Sequence, residues 1–123
     1  MKVAVVGSRN LTVFNLHKYL PDDTTEIVSA GTKGVGQSAR EYAEKNGLAL
    51  TELHPDYKRY GKSAPLKLNA EIVEYSDYVV AFWNGFSAEI QSIANRCERM
   101  KKKIDIHTLN ARNNDILIKA ERH

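Results

Sequence analysis

Two hydrophobic periods alternate along this chain. Lys2-Val3-Ala4-Val5-Val6 is a continuous apolar run ended by Gly7, the pattern of a strand buried on both faces. Leu11 to Leu20 carries Phe14, Leu16, Tyr19 and Leu20 and predicts a short helix stopped by Pro21. Thr25 to Ala30 reads as a second strand. Gly36 to Asn46 reads as a helix, with Val35, Ala39, Tyr42 and Ala43 recurring on one face and Gly47 where a left-handed terminating residue belongs. Leu48 to Leu53 alternates imperfectly as a third strand, and His54 to Lys62 is polar, aromatic and irregular. Ser63 can cap the next helix, Pro65 fits its first turn, and Leu68, Ile72 and Tyr75 make its buried stripe. Tyr78 to Trp83 is the fourth strand. Asn84-Gly85-Phe86 is a turn, and Ser87 can cap a helix to about Lys101 in which Ile90, Ile93, Ala94 and Cys97 share a face. Lys103 to Leu109 is the fifth strand.

Strands alternating with helices imply right-handed βαβ units and a parallel sheet. The expected architecture is α/β: a single Rossmann-like three-layer domain over residues 1–110, with a parallel five-stranded sheet of order 3-2-1-4-5 and helices on both faces. Residues 111–123 form a tail in which Ile116-Leu117-Ile118 offers an extra edge strand or an oligomer contact. In such sheets the ligand crevice lies beyond the carboxyl ends of the strands, where strand order reverses. The turns there are Gly7-Ser8-Arg9, Ala30 to Gly36, and Asn84-Gly85-Phe86-Ser87, and each contains glycine.

Composition narrows the class. A chain of 123 residues can bury a core as one domain, and 42% hydrophobic with 27% charged residues is ordinary for a soluble globular protein. Cys97 is the single cysteine, so no intramolecular disulfide forms, and a reducing cytoplasm fits. No apolar run approaches the roughly 20 residues that span a bilayer, so no membrane association is expected. The net charge of +3 permits anionic ligands but is too small to argue for nucleic acid by itself.

The chemistry concentrates in the glycine turns. A β-branched run meeting a glycine-rich turn and then a helix, as in Ile27 to Arg40, places backbone N–H groups where such folds hold phosphate. Gly31-x-x-Gly34-x-Gly36 is not the G-x-G-x-x-G fingerprint, and no acidic residue falls cleanly after the second strand, so a dinucleotide site is disfavoured and no cofactor is expected. Gly31, Thr32, Lys33 and Gly34 are candidate phosphate contacts; a tight turn that needs glycine for its backbone alone is the competing reading. Gly7, Ser8 and Arg9 follow the first strand, where Arg9 can fork onto a phosphate or carboxylate. Gly61-Lys62-Ser63 resembles the tail of a phosphate-binding P-loop, but Asp56 stands where the first glycine is required. That leaves Tyr57, Arg59, Tyr60 and Lys62, with Asn69, as a candidate lid. Asn84 can read a base edge or a ribose hydroxyl, and Gly85 and Ser87 can help hold an anion. Glu89, in a first helical turn, favours the helix dipole, and that role is preferred for it. His17, His54, His107 and His123 show no metal-ligand spacing, so no metal is expected. Lys101-Lys102-Lys103 reads as a solvated helix end, with nucleic-acid contact the minor alternative.

Five segments together resemble the YspA-like SLOG domains, which are small Rossmann-like proteins. They are Val5 to Arg9, Val28 to Val35, Tyr57 to Pro65, Asn69 to Val73 and Ala81 to Ser87. The superfamily includes the DNA-processing protein DprA and the LOG phosphoribohydrolases. The resemblance spans about residues 2–108 and implies a nucleotide or nucleotide-derived ligand bound across the three glycine turns. It also implies a homo-oligomer, since related folds pair through helices. The family usually has glycine where Ala30 stands and aspartate where Gly36 stands. The catalytic glutamate of the LOG enzymes aligns with Ile93, so it has no counterpart here.

The expected function is therefore binding of a nucleotide-type small molecule by a cytoplasmic protein. One alternative is N-glycosidic hydrolysis of a nucleoside monophosphate using Glu89 or Glu52. The other is an interaction module for nucleic acid or protein that uses the basic helix end and the tail.

Overall fold

The computed structural model describes residues 1–85 and 87–109. Phe86 and the expected tail contact at Ile116-Leu117-Ile118 lie outside the described residues.

The sheet is five-stranded and all parallel, in the order β3-β2-β1-β4-β5, as the alternation of patterns predicts. Its strands are β1 (Lys2–Gly7), β2 (Glu26–Ser29), β3 (Ala49–Glu52), β4 (Tyr78–Trp83) and β5 (Lys103–Thr108). The two continuous apolar runs are central: every residue of β4 and Val3 to Val6 of β1 are buried. β1 and β4 pair in register from Val3 opposite Tyr78 to Gly7 opposite Phe82. The edge strands β3 and β5 are only partly covered, which is why their sequences alternate poorly.

Successive strand residues point to opposite faces and so split the core in two. Val3, Val5, Ile27, Val80 and Phe82 face α1 (Val35–Asn46). Ala4, Val6, Val28, Val79, Ala81 and Trp83 face two helices, α3 (Ala64–Tyr75) and α4 (Ala88–Met100). Gly47 ends α1 with φ of 66°, the left-handed residue that its sequence position predicts. The stretch expected to be wholly irregular contains a single helical turn, α2 (Tyr57–Tyr60), capped by Asp56, which accepts from the Arg59 N–H at 3.1 Å. A 3₁₀ turn over Gly61–Ser63 follows and leads into α3. Ser63 occupies the capping position of α3 as expected, but its hydroxyl makes no capping bond.

One expected helix does not form. Leu11 to Leu20 contains only a 3₁₀ turn, Leu16–Tyr19. The buried residues Leu11 and Val13 lie two apart, a spacing that suits extended chain, and the Val13 N–H donates to the Ser38 hydroxyl of α1 at 3.0 Å. Phe14, counted on the helical face, is 76% exposed. Tyr75 also leaves its expected stripe: it is half-exposed, and its hydroxyl donates to the Glu26 carboxylate across the sheet edge.

The α3 and α4 layer is tied at its far end. Lys101 closes α4 with φ of 58°, and the next residue, Lys102, donates its ammonium to the carbonyls of Val73, Glu74 and Ser76 at the end of α3. Those carbonyls have no partners within the helix, and the cation also complements the negative end of the helix dipole. Cys97 is fully buried in this layer, and burial pushes its thiol up to about 11.

At the carboxyl end of the sheet, two turns pack backbone to backbone. A Cβ on Gly34 would lie 2.3 Å from the Arg9 carbonyl oxygen and 2.6 Å from that of Ser8. The Val35 N–H donates to the Ser8 carbonyl at 3.2 Å. Gly34 also holds φ of 71°. Gly34→Ala therefore meets immovable backbone in a disfavoured conformation. It is expected to destabilise the fold by about 2–4 kcal/mol, measured as a lowered urea midpoint.

Candidate functional site

The carboxyl ends of β1 and β2 open into a cleft between the start of α1 and the first turns of α3 and α4. It adjoins the crevice expected of a doubly wound sheet, where strand order reverses between β1 and β4, but no β4 residue lines it. The cleft measures about 80 Å³ and is lined by both polar and apolar side chains.

Its first wall comes from the turns after β1 and β2. Gly7, Arg9, Ser29, Ala30, Thr32 and Gly36 line it. A Cβ on Gly7 would lie 2.4 Å from the Phe82 carbonyl and 2.7 Å from the Val35 side chain, so this glycine serves the contact between β1, β4 and α1. The Ser29 hydroxyl is buried and accepts the Gly31 N–H at 3.1 Å. The Arg9 side chain is exposed and has no hydrogen bond or ion pair among the described residues. Among the described residues the Gly36 and Gln37 N–H groups in the first turn of α1 have no protein acceptor, whereas that of Val35 is taken by Ser8. The Thr32 hydroxyl folds over this turn, 2.9 Å from where a Cβ on Gly36 would stand.

The second wall belongs to α3 and α4. Pro65, Leu68, Asn69 and Ile72 recur at helical spacing along α3, and Glu89 and Ile93 lie one turn apart on α4. Asn69 is the polar interruption of the α3 stripe. It is 7% exposed, and its carboxamide has no hydrogen-bond partner among the described residues. Glu89 sits in the first turn of α4 at its dipole-favoured position, and it also lines the cleft. Pro55 and Tyr57 complete the mouth, where Tyr57 is 61% exposed.

Of the sequence-predicted residues, the cleft gathers Gly7, Arg9, Thr32, Tyr57 and Asn69. Others serve the fold or lie apart. The Ser8 carbonyl and Gly34 are spent on the turn-to-turn contact. Gly31, with φ of 70°, packs toward His54 and Glu52. Lys33 lies outside, in a shallow depression shared with Gln37, Arg40 and Glu41. Ser87 caps α4, accepting the Ile90 N–H at 3.3 Å, and Asn84 and Gly85 are exposed but do not line the cleft. Arg59 and Lys67 stack against the Tyr60 ring, and Lys62 is exposed on the turn before α3. In the basic run, Lys102 is consumed by α3 and Lys103 lies over the Tyr78 ring. Lys101 and Lys103 remain exposed. Ser29, Leu68, Ile72 and Ile93 are cleft residues that the sequence reading did not single out. The α3 stripe interrupted by one asparagine was the signal available for that wall.

Glu52 is removed as a cleft carboxylate. Arg40 grips it in a two-point fork, with Nε and Nη2 each 2.8 Å from a carboxylate oxygen. That fork holds the Glu52 carboxyl below its usual range. Among the described residues, no group of three or more His, Cys, Asp and Glu is arranged to hold a metal, and no helix is long and apolar enough to cross a membrane.

No family model, curated protein or solved structure matches this chain.

Because the folded-state carboxyl of Glu52 titrates below its unfolded value, the stability that it contributes is present above that value and disappears as pH falls through the folded one. Arg40→Gln is expected to lower the urea midpoint at about pH 7 only modestly, since the pair is largely exposed. The difference from wild type is expected to shrink between about pH 5 and about pH 2.

Proposed function

We propose that this protein binds a nucleotide or nucleotide-derived small molecule in the cleft above β1 and β2. The observation that carries this reading is Arg9. Arg9, exposed and unpaired among the described residues, lines the cleft together with Gly36, whose N–H in the first turn of α1 is free, a combination suited to phosphate. The ordered resemblance to SLOG domains supports the same ligand class. The aspartate usual in that family would have to turn the Thr32 hydroxyl aside, because that hydroxyl occupies the space beside Gly36. A hydroxyl and bare backbone in place of a carboxylate favour holding an anion.

The closed cleft is smaller than the roughly 300 Å³ at the low end of ligand pockets, so a nucleotide enters by displacing part of the wall. The segment around Tyr57 is the part suited to move. α2 packs chiefly on the adjoining 3₁₀ turn and α3, and it buries none of its own residues. Tyr57 then supplies a ring to cover the ligand. Of the expected lid residues, Tyr57 alone lines the cleft, and Asn69 belongs to its wall.

A second reading has one observation in its favour. Glu89, exposed in the first turn of α4, lines the cleft, where its carboxylate could stabilise charge at a sugar carbon as a base departs. In that reaction the C–N glycosidic bond breaks, water adds to the sugar carbon, and the base leaves with a proton. Incubation with nucleoside monophosphates and chromatography for free base tests it. Base release by wild type and its loss in Glu89→Gln would establish catalysis; no release across the panel removes it.

For the binding reading, a thermal-shift and calorimetry panel of nucleoside mono- and diphosphates is expected to identify at least one ligand. Arg9→Ala is expected to weaken that ligand by at least about tenfold while leaving the unliganded melting temperature unchanged, because Arg9 is exposed and unpaired. Equal affinity in both proteins would sink the assigned site.

A further inference from the structure

Resting on the nucleotide reading, the geometry points to a further assignment: Asn69 and Glu89 form a hydroxyl-reading wall that selects a ribose over a deoxyribose.

The cleft is chemically two-sided. Arg9 and the first turn of α1 offer positive charge and donors on one side of the sheet edge. On the other, α3 and α4 present an otherwise apolar surface broken by two polar side chains, Asn69 and Glu89. Arg9 and Glu89 do not pair: among the described residues the ion pair is that of Arg40 with Glu52. Two opposite, unpaired charges in one cleft suit a ligand that is itself two-ended, with an anion at one end and hydrogen-bond donors at the other.

Asn69 identifies the second end. A buried carboxamide normally finds partners within the protein, and one without them is destabilising. Asn69 is more than nine-tenths buried, lines the cleft among Leu68, Ile72 and Ile93, and has no protein partner among the described residues, so its carboxamide is left to the cleft solvent and to whatever displaces it. The carboxamide supplies both an acceptor and donors, while the nearby carboxylate supplies acceptors only. A vicinal diol, each hydroxyl able to donate and accept, satisfies both groups at once. A phosphate does not suit this wall, because Glu89 repels it. A purely apolar group does not suit it either, because both polar side chains would be desolvated without compensation. Removing the hydroxyl that meets Asn69 would leave this largely buried carboxamide unpaired beneath the bound ligand, while the exposed Glu89 loses an acceptor contact, and that penalty is the source of selectivity.

The test measures calorimetric affinities for AMP and 2′-deoxy-AMP with wild type, Asn69→Leu and Glu89→Gln, together with the melting temperature of each unliganded protein. Wild type is expected to favour AMP by at least about tenfold. Both variants are expected to bring that ratio close to one while retaining the phosphate-dependent affinity that Arg9→Ala removes. The unliganded melting temperatures check that each variant keeps the fold. AMP and 2′-deoxy-AMP binding wild type equally would overturn the assignment and leave nucleotide binding standing. A ratio preserved in either variant would also overturn it. Failure of wild type to bind either compound or any member of the nucleotide panel would overturn the nucleotide reading as well.

Discussion

The contact on which the upper part of this molecule depends is backbone against backbone at Gly34. The turn after β1 lies directly on the turn before α1, with no side chain between them. Gly7 repeats the arrangement one residue before that turn, where β1, β4 and α1 converge too closely for a Cβ. These two absences of side chain set the spacing of three elements. They also consume the Val35 N–H and the Ser8 carbonyl. What remains for a ligand is defined by that expenditure: the Arg9 side chain, the next N–H groups of α1, and the hydroxyl of Thr32 folded over them.

Much of the fold was legible because its determinants are local. Strand β4 runs over the six residues that its apolar run marks, and Gly47 ends α1 where its position predicts. The stretch from Leu11 to Leu20 misled because apolar content was read without its spacing. Leu11 and Val13 are buried two apart, and the partner that pins them, Ser38, is distant in sequence. The site was less legible for a related reason. A glycine that admits a ligand and a glycine that admits another strand of protein look identical in sequence. Gly7 and Gly34 prove to be of the second kind. Ser87 and the Lys102 ammonium are likewise claimed by helix ends. Asn69 and Glu89 acquire their meaning only when α3 and α4 are laid side by side, which no single segment announces.

The second wall combines firmness and looseness in one pair of helices. Lys102 ties the ends of α3 and α4 that lie farthest from the cleft, where it satisfies three carbonyls at once. At the cleft, the second turn of α3 holds the carboxamide of Asn69 and the first turn of α4 the carboxylate of Glu89, neither with a protein partner among the described residues. Stability is therefore concentrated at one end of the layer, and unmet polar groups are concentrated at the other. The part of the cleft with least packing is the short segment carrying Pro55 and Tyr57, where α2 buries none of its own residues. Such an arrangement keeps a sheet edge rigid while its cover yields.

Cys97 gives this core a practical property. It is the chain's only cysteine, it has no exposed surface, and its thiol resists ionisation because burial disfavours the thiolate. Alkylating reagents and fluorescent maleimides therefore pass it by while the fold is intact. A cysteine introduced at an exposed position becomes the single reactive thiol without any need to remove the native one. The molecule comes ready for site-specific labelling, and a dye at the rim would report the opening of the cover by its own emission.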